Sequence, residues 1–262
     1  MTHITPSATD AQTRVALVTG AGRRLGRAIA LGLAAAGWDI GVHYRHSERE
    51  AAETAEAIRA LGRRAALLPC DLGDEAGVRA LPGRAAEALG RVTCIVNNAS
   101  LFEYDNATSF SPSLLAAHMR TNLAAPLLLA QALHAATPDN EQAVVINLLD
   151  QKLYNLNPDF LSYTLSKAAL DTATNMLAQA LAPRLRIVGV APGITMVSGD
   201  QSEAGFAQAH TATPLGRSST PQDIADAVVY AASARALTGT TLVVDGGQHL
   251  VPSVRDVMFL TK

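Results

Sequence analysis

The sequence predicts a three-layer α/β sandwich built on a parallel sheet, and three observations carry that prediction. Short apolar runs of strand length alternate with stretches of helical spacing from Val15 to Val244, the order that lays strands in one sheet and helices on its faces. The first run passes straight into a glycine-rich turn and a helix, Thr19-Gly-Ala-Gly-Arg-Arg-Leu-Gly26. The chain has 262 residues, 48% of them apolar, which suffices for one full core and is too apolar for disorder.

Taken in order, Val15–Val18 reads as a strand and the stretch Ala28, Ile29, Gly32, Leu33, Ala36 as a helix. Between them the glycines let the backbone approach a pyrophosphate, and the helix N-terminus supplies free N–H groups and partial positive charge. Residues 40–44 form the second strand, 51–61 an amphipathic helix and 65–68 the third strand. Asp74 opens a helix to Leu89 that Gly77 and Pro82 interrupt, and Val92–Val96 is the fourth strand. Ser111-Pro112 starts a helix, with an N-cap followed by Pro at N1. Asn122 is a polar amide in the apolar stretch MRTNLAAPLLLA and must find hydrogen bonds; Pro126 implies a kink or break just beyond it. Val144–Asn147 is the fifth strand, and Ser162–Leu170 opens a helix after a polar loop. Residues 186–191 form the sixth strand, ending at Pro192-Gly193, and residues 194–213 read as a mobile lid. Thr220-Pro221-Gln222-Asp223 is a capping box for a helix through Ala232, and residues 241–244 form the last strand.

Composition narrows the function classes. A net charge of −2 gives no electrostatic reason to expect nucleic acid or an anionic membrane surface. No apolar run approaches the roughly 20 residues of a membrane helix, and the leader MTHITPSATDAQT has no apolar signal core. Residues 1–13 are therefore expected to form a polar arm, and residues 14–262 one domain of a soluble, cytoplasmic protein. Cys70 and Cys94 read as reduced core residues. The apolar tail from Val251 to Lys262 is expected to pack on a neighbouring subunit.

Two local patterns carry chemistry. Tyr163 and Lys167 lie four apart and share one helix face. A phenol of pKa about 10 loses its proton more readily beside a cation, so such a Tyr can pass a proton near neutral pH. At the end of the second strand, an acid about 20 residues past the glycines would select NAD. The chain offers His43-Tyr44-Arg45-His46-Ser47 instead, cations and a hydroxyl that suit the 2′-phosphate of NADPH. Ser47 has a rival role as a helix N-cap, with Glu50 completing a capping box.

Together the glycine turn, Asn97-Asn98-Ala99-Ser100 and Tyr163-x-x-x-Lys167 resemble the short-chain dehydrogenase/reductase family, from Val15 to about Leu250. The resemblance implies a Rossmann-like fold with a mainly seven-stranded parallel sheet. It makes Tyr163 the proton donor and has Lys167 hold the ribose and lower the Tyr pKa, while Asn122 holds a proton-relaying water. It implies no metal, places Gly20, Gly22, Leu25, Gly26, Asp71, Leu72, Asn98, Ala99, Pro192 and Gly193 around NADPH/NADP+, and implies a homotetramer. Four positions depart from the family pattern toward its pteridine reductase branch: Asp150 for the usual serine, Arg24 for glycine, Ser100 for glycine, and the aromatic Phe102. In that branch Arg24 reaches toward the cofactor phosphates and the substrate, Ser100 lies in both sites, and Phe102 stacks on a pterin opposite the nicotinamide. A carboxylate at position 150 suits the N–H donors of a pterin, whereas it would repel a developing oxyanion. The expected activity is NADPH-dependent reduction of a dihydropterin (dihydromonapterin, dihydrobiopterin or dihydrofolate). The alternatives are an ordinary carbonyl or 3-oxoacyl reductase and a catalytically idle dinucleotide sensor.

Overall fold

A computed structural model describes residues 14–197 and 202–259; the expected N-terminal arm lies outside the described residues. Seven strands, β1 (Arg14–Val18), β2 (Trp38–Tyr44), β3 (Ala65–Pro69), β4 (Val92–Asn97), β5 (Ala143–Leu148), β6 (Leu185–Pro192) and β7 (Thr240–Val244), form one all-parallel sheet. Its order is β3-β2-β1-β4-β5-β6-β7. The helices are α1 (Arg24–Ala35), α2 (Glu48–Ala60), α3 (Glu75–Leu89), α4 (Pro112–Met119), α5 (Ala125–Ala136), α6 (Leu161–Leu181), α7 (Glu203–Thr211) and α8 (Pro221–Ser233).

β1 shows why the expected sandwich forms. Ala16 and Val18 enter one core with residues of α1, α2 and α8, while Val15 and Leu17 enter the other with residues of α3, α5 and α6. A strand buried on both faces reads as an unbroken apolar run, and its alternate residues seal opposite layers. The chain runs outward from β1 to β3, then returns to build from β4 to β7, so strand order reverses beside β1. Ligands of such sheets bind at that switch point, outside the carboxyl ends of the strands.

Two elements differ from the sequence expectation, and a third meets it in an unusual form. α3 runs unbroken through Gly77 and Pro82, with Asp74 accepting bonds from the Ala76 and Gly77 amides as its cap. Residues 203–211 of the expected lid form α7, capped by the Ser202 hydroxyl on the Gly205 amide; residues 198–201 lie outside the described residues. Between α4 and α5 the helix passes through a π turn, Arg120–Ala124, the irregularity that Pro126 led one to expect beside Asn122. The reason is local: Pro126 has no N–H to give the Asn122 carbonyl four residues back. No helix among the described residues is long and apolar enough to cross a membrane.

Candidate active site

A cleft of about 670 Å³ opens at the carboxyl ends of the strands, lined by the glycine turn, the ends of β2 to β6 and the start of α6. Gly20 adopts φ +64°, and a Cβ on Gly26 would lie 2.1 Å from the Gly20 carbonyl oxygen. The turn is thus closed tightly on α1. Thr19 fixes it to the end of β4, where its hydroxyl accepts the Asn98 and Ala99 amides at 2.9 and 3.0 Å. The Asn98 side chain donates to the Thr19 carbonyl at 2.8 Å. The expected Gly20, Leu25, Gly26, Tyr44, Arg45, His46, Ser47, Asp71, Leu72, Asn98, Ala99, Ser100, Pro192 and Gly193 all line the cleft.

Some residues hold the cleft rather than offer a charge to it. His43 is buried; its Nδ1 accepts the Gly20 amide at 2.9 Å, and its Nε2 lies 3.1 Å from the Cys70 carbonyl. Burial pushes its pKa down to about 4, so it is neutral at physiological pH and is not one of the expected cations. Gly22 packs on α2, where a Cβ would meet the Ala51 amide nitrogen at 3.1 Å. Ser47 precedes α2 but makes no side-chain cap bond, so the expected capping box is absent and its hydroxyl is left for the cleft. Asp71 does not cap α3; it accepts the Gly73 amide at 2.8 Å. Cys70 is half-buried at the edge of the core, where it also lines the cleft, while Cys94 is buried and its pKa pushed up to about 12 by burial.

These residues fit a phosphorylated dinucleotide. The start of α1 carries neither a side-chain cap bond nor an acidic residue in its first turn, leaving its N–H groups and positive end for an anion. Arg45 and His46 are exposed at the end of β2. Arg24 adopts φ +52°, a left-handed conformation at the position where the family pattern has glycine, and its guanidinium donates to the Val197 carbonyl at 2.8 Å. An L side chain there costs roughly 1–2 kcal/mol. Arg24→Gly is therefore expected to raise stability by about 1 kcal/mol while weakening NADPH binding; thermal melts and cofactor titration check both.

The reacting groups meet at the ends of β5 and α6. Tyr163 and Lys167 share the expected helix face, yet the Tyr163 hydroxyl donates to Asp150 Oδ2 at 2.8 Å. The Lys167 ammonium donates to the Leu148 carbonyl at 2.7 Å and lies 5.7 Å from the centre of the Tyr163 ring. Burial, then the Asp150 charge and its hydrogen bond, push the Tyr163 pKa well above the usual phenol value. The group bonded to the phenol is the Asp150 carboxyl rather than Lys167, and it works against the expected lowering. Burial lowers Lys167 to about 8, against an upward pull from Asp150; it also raises Asp150. Titratable groups perturbed by burial and by one another, gathered in a cleft, are the candidates for a functional site.

Asp150 uses both carboxylate oxygens. Oδ1 caps the turn Gln151–Tyr154 by accepting the Lys152 amide at 2.9 Å, and Oδ2 holds Tyr163. Asn122 uses its side chain for scaffolding: Oδ1 accepts the Leu101 amide, and the Nδ2 donors go to the Leu101 carbonyl and the Ser166 hydroxyl. Its backbone carbonyl lies four residues before Pro126, which has no N–H to offer it.

Phe102 is 38% exposed, lines the cleft and meets Tyr163 edge-on with centroids 4.7 Å apart. It stacks on Phe160 at 4.3 Å and 17°. Phe160 and Asp105 are functional neighbours that sequence reasoning missed. Phe160 precedes α6 in a left-handed conformation, φ 55°, with no side-chain cap bond. Buried Asp105, over fifty residues earlier, caps α6 by accepting both the amide and hydroxyl of Ser162. Neither has a local signal in the sequence, because the partner lies in a distant loop.

The chain matches the family model described as enoyl-(acyl carrier protein) reductase over residues 20–249. An uncharacterized oxidoreductase of Mycobacterium tuberculosis is 37% identical over 89% of this chain and 91% of its own. The 2-dehydro-3-deoxy-D-gluconate 5-dehydrogenase of Escherichia coli is 32% identical over 92% of this chain and 97% of its own. Among solved structures, FolM alternative dihydrofolate reductase 1 from Brucella canis, complexed with NADP, is 38% identical with a TM-score of 0.87, covering 93% of this chain and 96% of that one. The Brucella suis protein, also with NADP, is 36% identical with a TM-score of 0.85, covering 93% and 98%.

Proposed function

The chain belongs to the short-chain dehydrogenase/reductase family and takes NADP(H) as cofactor, and from that premise we propose that its substrate is a dihydropterin. The observation that carries the reading is the 2.8 Å bond from Tyr163 to Asp150 in a cleft that also presents Phe102. A carboxylate beside the proton donor suits a ring rich in N–H donors, and a half-exposed aromatic ring suits a flat heterocycle through offset stacking and burial. The name of the two Brucella proteins, alternative dihydrofolate reductase, supports the same substrate class.

NADPH, held by the glycine turn, the start of α1 and Arg45, His46 and Ser47, supplies the hydride. The protein positions the acceptor and handles the proton. Asp150 receives the amino edge of the ring, Phe102 covers its face, and Tyr163 delivers a proton to ring nitrogen. Lys167 holds the ribose and offsets the charge that Asp150 places beside the phenol. Asn122 supports the replacement proton from its backbone carbonyl. Assembly as a homotetramer belongs to the same proposal.

A panel of NADPH oxidation assays tests it. Turnover with dihydrobiopterin, dihydromonapterin or dihydrofolate is expected to exceed that with acetoacetyl thioesters by at least about tenfold, the effect of one well-placed polar contact. Oxidation with the thioester alone would make the chain a carbonyl reductase, and silence across the panel would point to a dinucleotide sensor.

A further inference from the structure

We propose that the C-terminal strap, residues 251–259, forms the outer layer of the substrate wall, with Arg255, Asp256 and Phe259 as positioning residues for Phe102 and Asp150. This rests on the reading that those two side chains face the substrate.

The described part of the strap packs on its own chain through three residues. Arg255 grips buried Asp159 in a two-point fork, Nε to Oδ2 at 2.8 Å and Nη2 to Oδ1 at 2.9 Å. The Asp256 amide donates to the same Asp159 Oδ2 at 2.8 Å. Asp159 immediately precedes left-handed Phe160, a conformation that persists only where its surroundings over-determine it. Phe259 lies parallel to Phe160 at 6.0 Å and 19°, and Tyr104 meets both rings edge-on at 5.1 and 5.4 Å. The strap therefore holds the ring on which Phe102 stacks.

A second path reaches Asp150. The Asp256 carboxylate pairs with the ammonium of buried Lys152 at 3.2 Å, and that ammonium also donates to the Asp159 carbonyl. The Lys152 amide is the donor that fixes Asp150 Oδ1. Around Asp150 and Tyr163 the charged or titratable groups are Lys152, Lys167, Asp256 and His118; around Asp256 they are Lys152, Arg255 and Asp159. The negative charge of Asp256 raises the proton affinity of both Asp150 and Tyr163.

Two variants of the full-length enzyme test the strap, each read on whichever substrate the wild type reduces with NADPH. Phe259→Ala is expected to raise the KM for that substrate about three- to tenfold, the worth of an aromatic pair, and to leave the KM for NADPH unchanged. Asp256→Asn keeps an acceptor for Lys152 and removes the charge. The acid limb of the kcat/KM profile, where Asp150 takes up its proton, is therefore expected to move to lower pH at unchanged NADPH affinity, with the alkaline limb set by Lys167 in place. Wild-type values for both variants, or equal losses toward substrate and NADPH, would overturn the proposal. Should Phe259→Ala fail to fold, Asp256→Asn alone decides. Which substrate the wild type reduces judges the pterin reading separately, since a strap effect on a thioester would keep the strap and discard the pterin.

Discussion

Tyr163→Phe is expected to lower kcat about 10²–10⁴-fold, the usual worth of a positioned proton donor, with NADPH binding unchanged. Phenylalanine keeps the ring contact with Phe102 at 4.7 Å, so the wall stays packed and the loss is chemical. Asp150 loses one donor yet keeps the Lys152 amide, so the melting temperature should fall little. The pH dependence has a definite sign. Tyr163 is raised above its ordinary pKa by burial and by Asp150; below that raised value the phenol carries its proton. The donor is therefore loaded throughout the neutral range, and any loss of rate from its ionisation appears only on the far alkaline side. Lys167, lowered to about 8, sheds its charge first, so the alkaline fall in activity is expected near pH 8. Rate measurements from pH 6 to 10 check both statements.

Asp150→Ser is expected to have the second-largest effect: a loss in pterin kcat/KM of about 10²-fold or more, as when buried polar groups of a ligand are left unpaired. NADPH affinity should change far less, because no carboxylate oxygen of Asp150 is needed to shape the glycine turn or the end of β2. The substitution also removes the charge and hydrogen bond that raise Tyr163 and the charge that raises Lys167. Both pKa values are thus expected to fall, moving the alkaline limb below its wild-type position. Steady-state kinetics and cofactor titration separate the two losses. Equal loss of pterin turnover and NADPH binding, or no loss in either, would remove Asp150 from the substrate site.

The fold was legible because each strand is a short apolar run bounded by turn chemistry. β5 reads as Val144–Asn147 and extends by one residue at each end, and the capping box at Thr220 forms with both its bonds. The cofactor cleft was legible because its parts follow strands directly, so a parallel sheet gathers them at one edge. What escaped was set by partners far along the chain. Nothing near Tyr163 announces that its hydroxyl turns to Asp150, and a four-residue spacing to Lys167 suggests the opposite charge. His43 looked like a phosphate ligand by position, yet the Gly20 amide and Cys70 carbonyl occupy its ring and burial keeps it neutral. Ser47 matched a capping box by pattern, while the backbone entering α2 leaves its hydroxyl uncapped. The apolar tail was conspicuous, but its seat on Asp159 and Phe160 depends on residues almost a hundred positions away.

A crystal structure of the enzyme with NADP and a dihydropterin tests the central assignment most directly. The ring is expected between Phe102 and the nicotinamide, with its 2-amino edge within hydrogen-bonding distance of Asp150 and a ring nitrogen facing the Tyr163 hydroxyl. A pterin bound away from Phe102, or an Asp150 carboxylate turned from the ring, would contradict it.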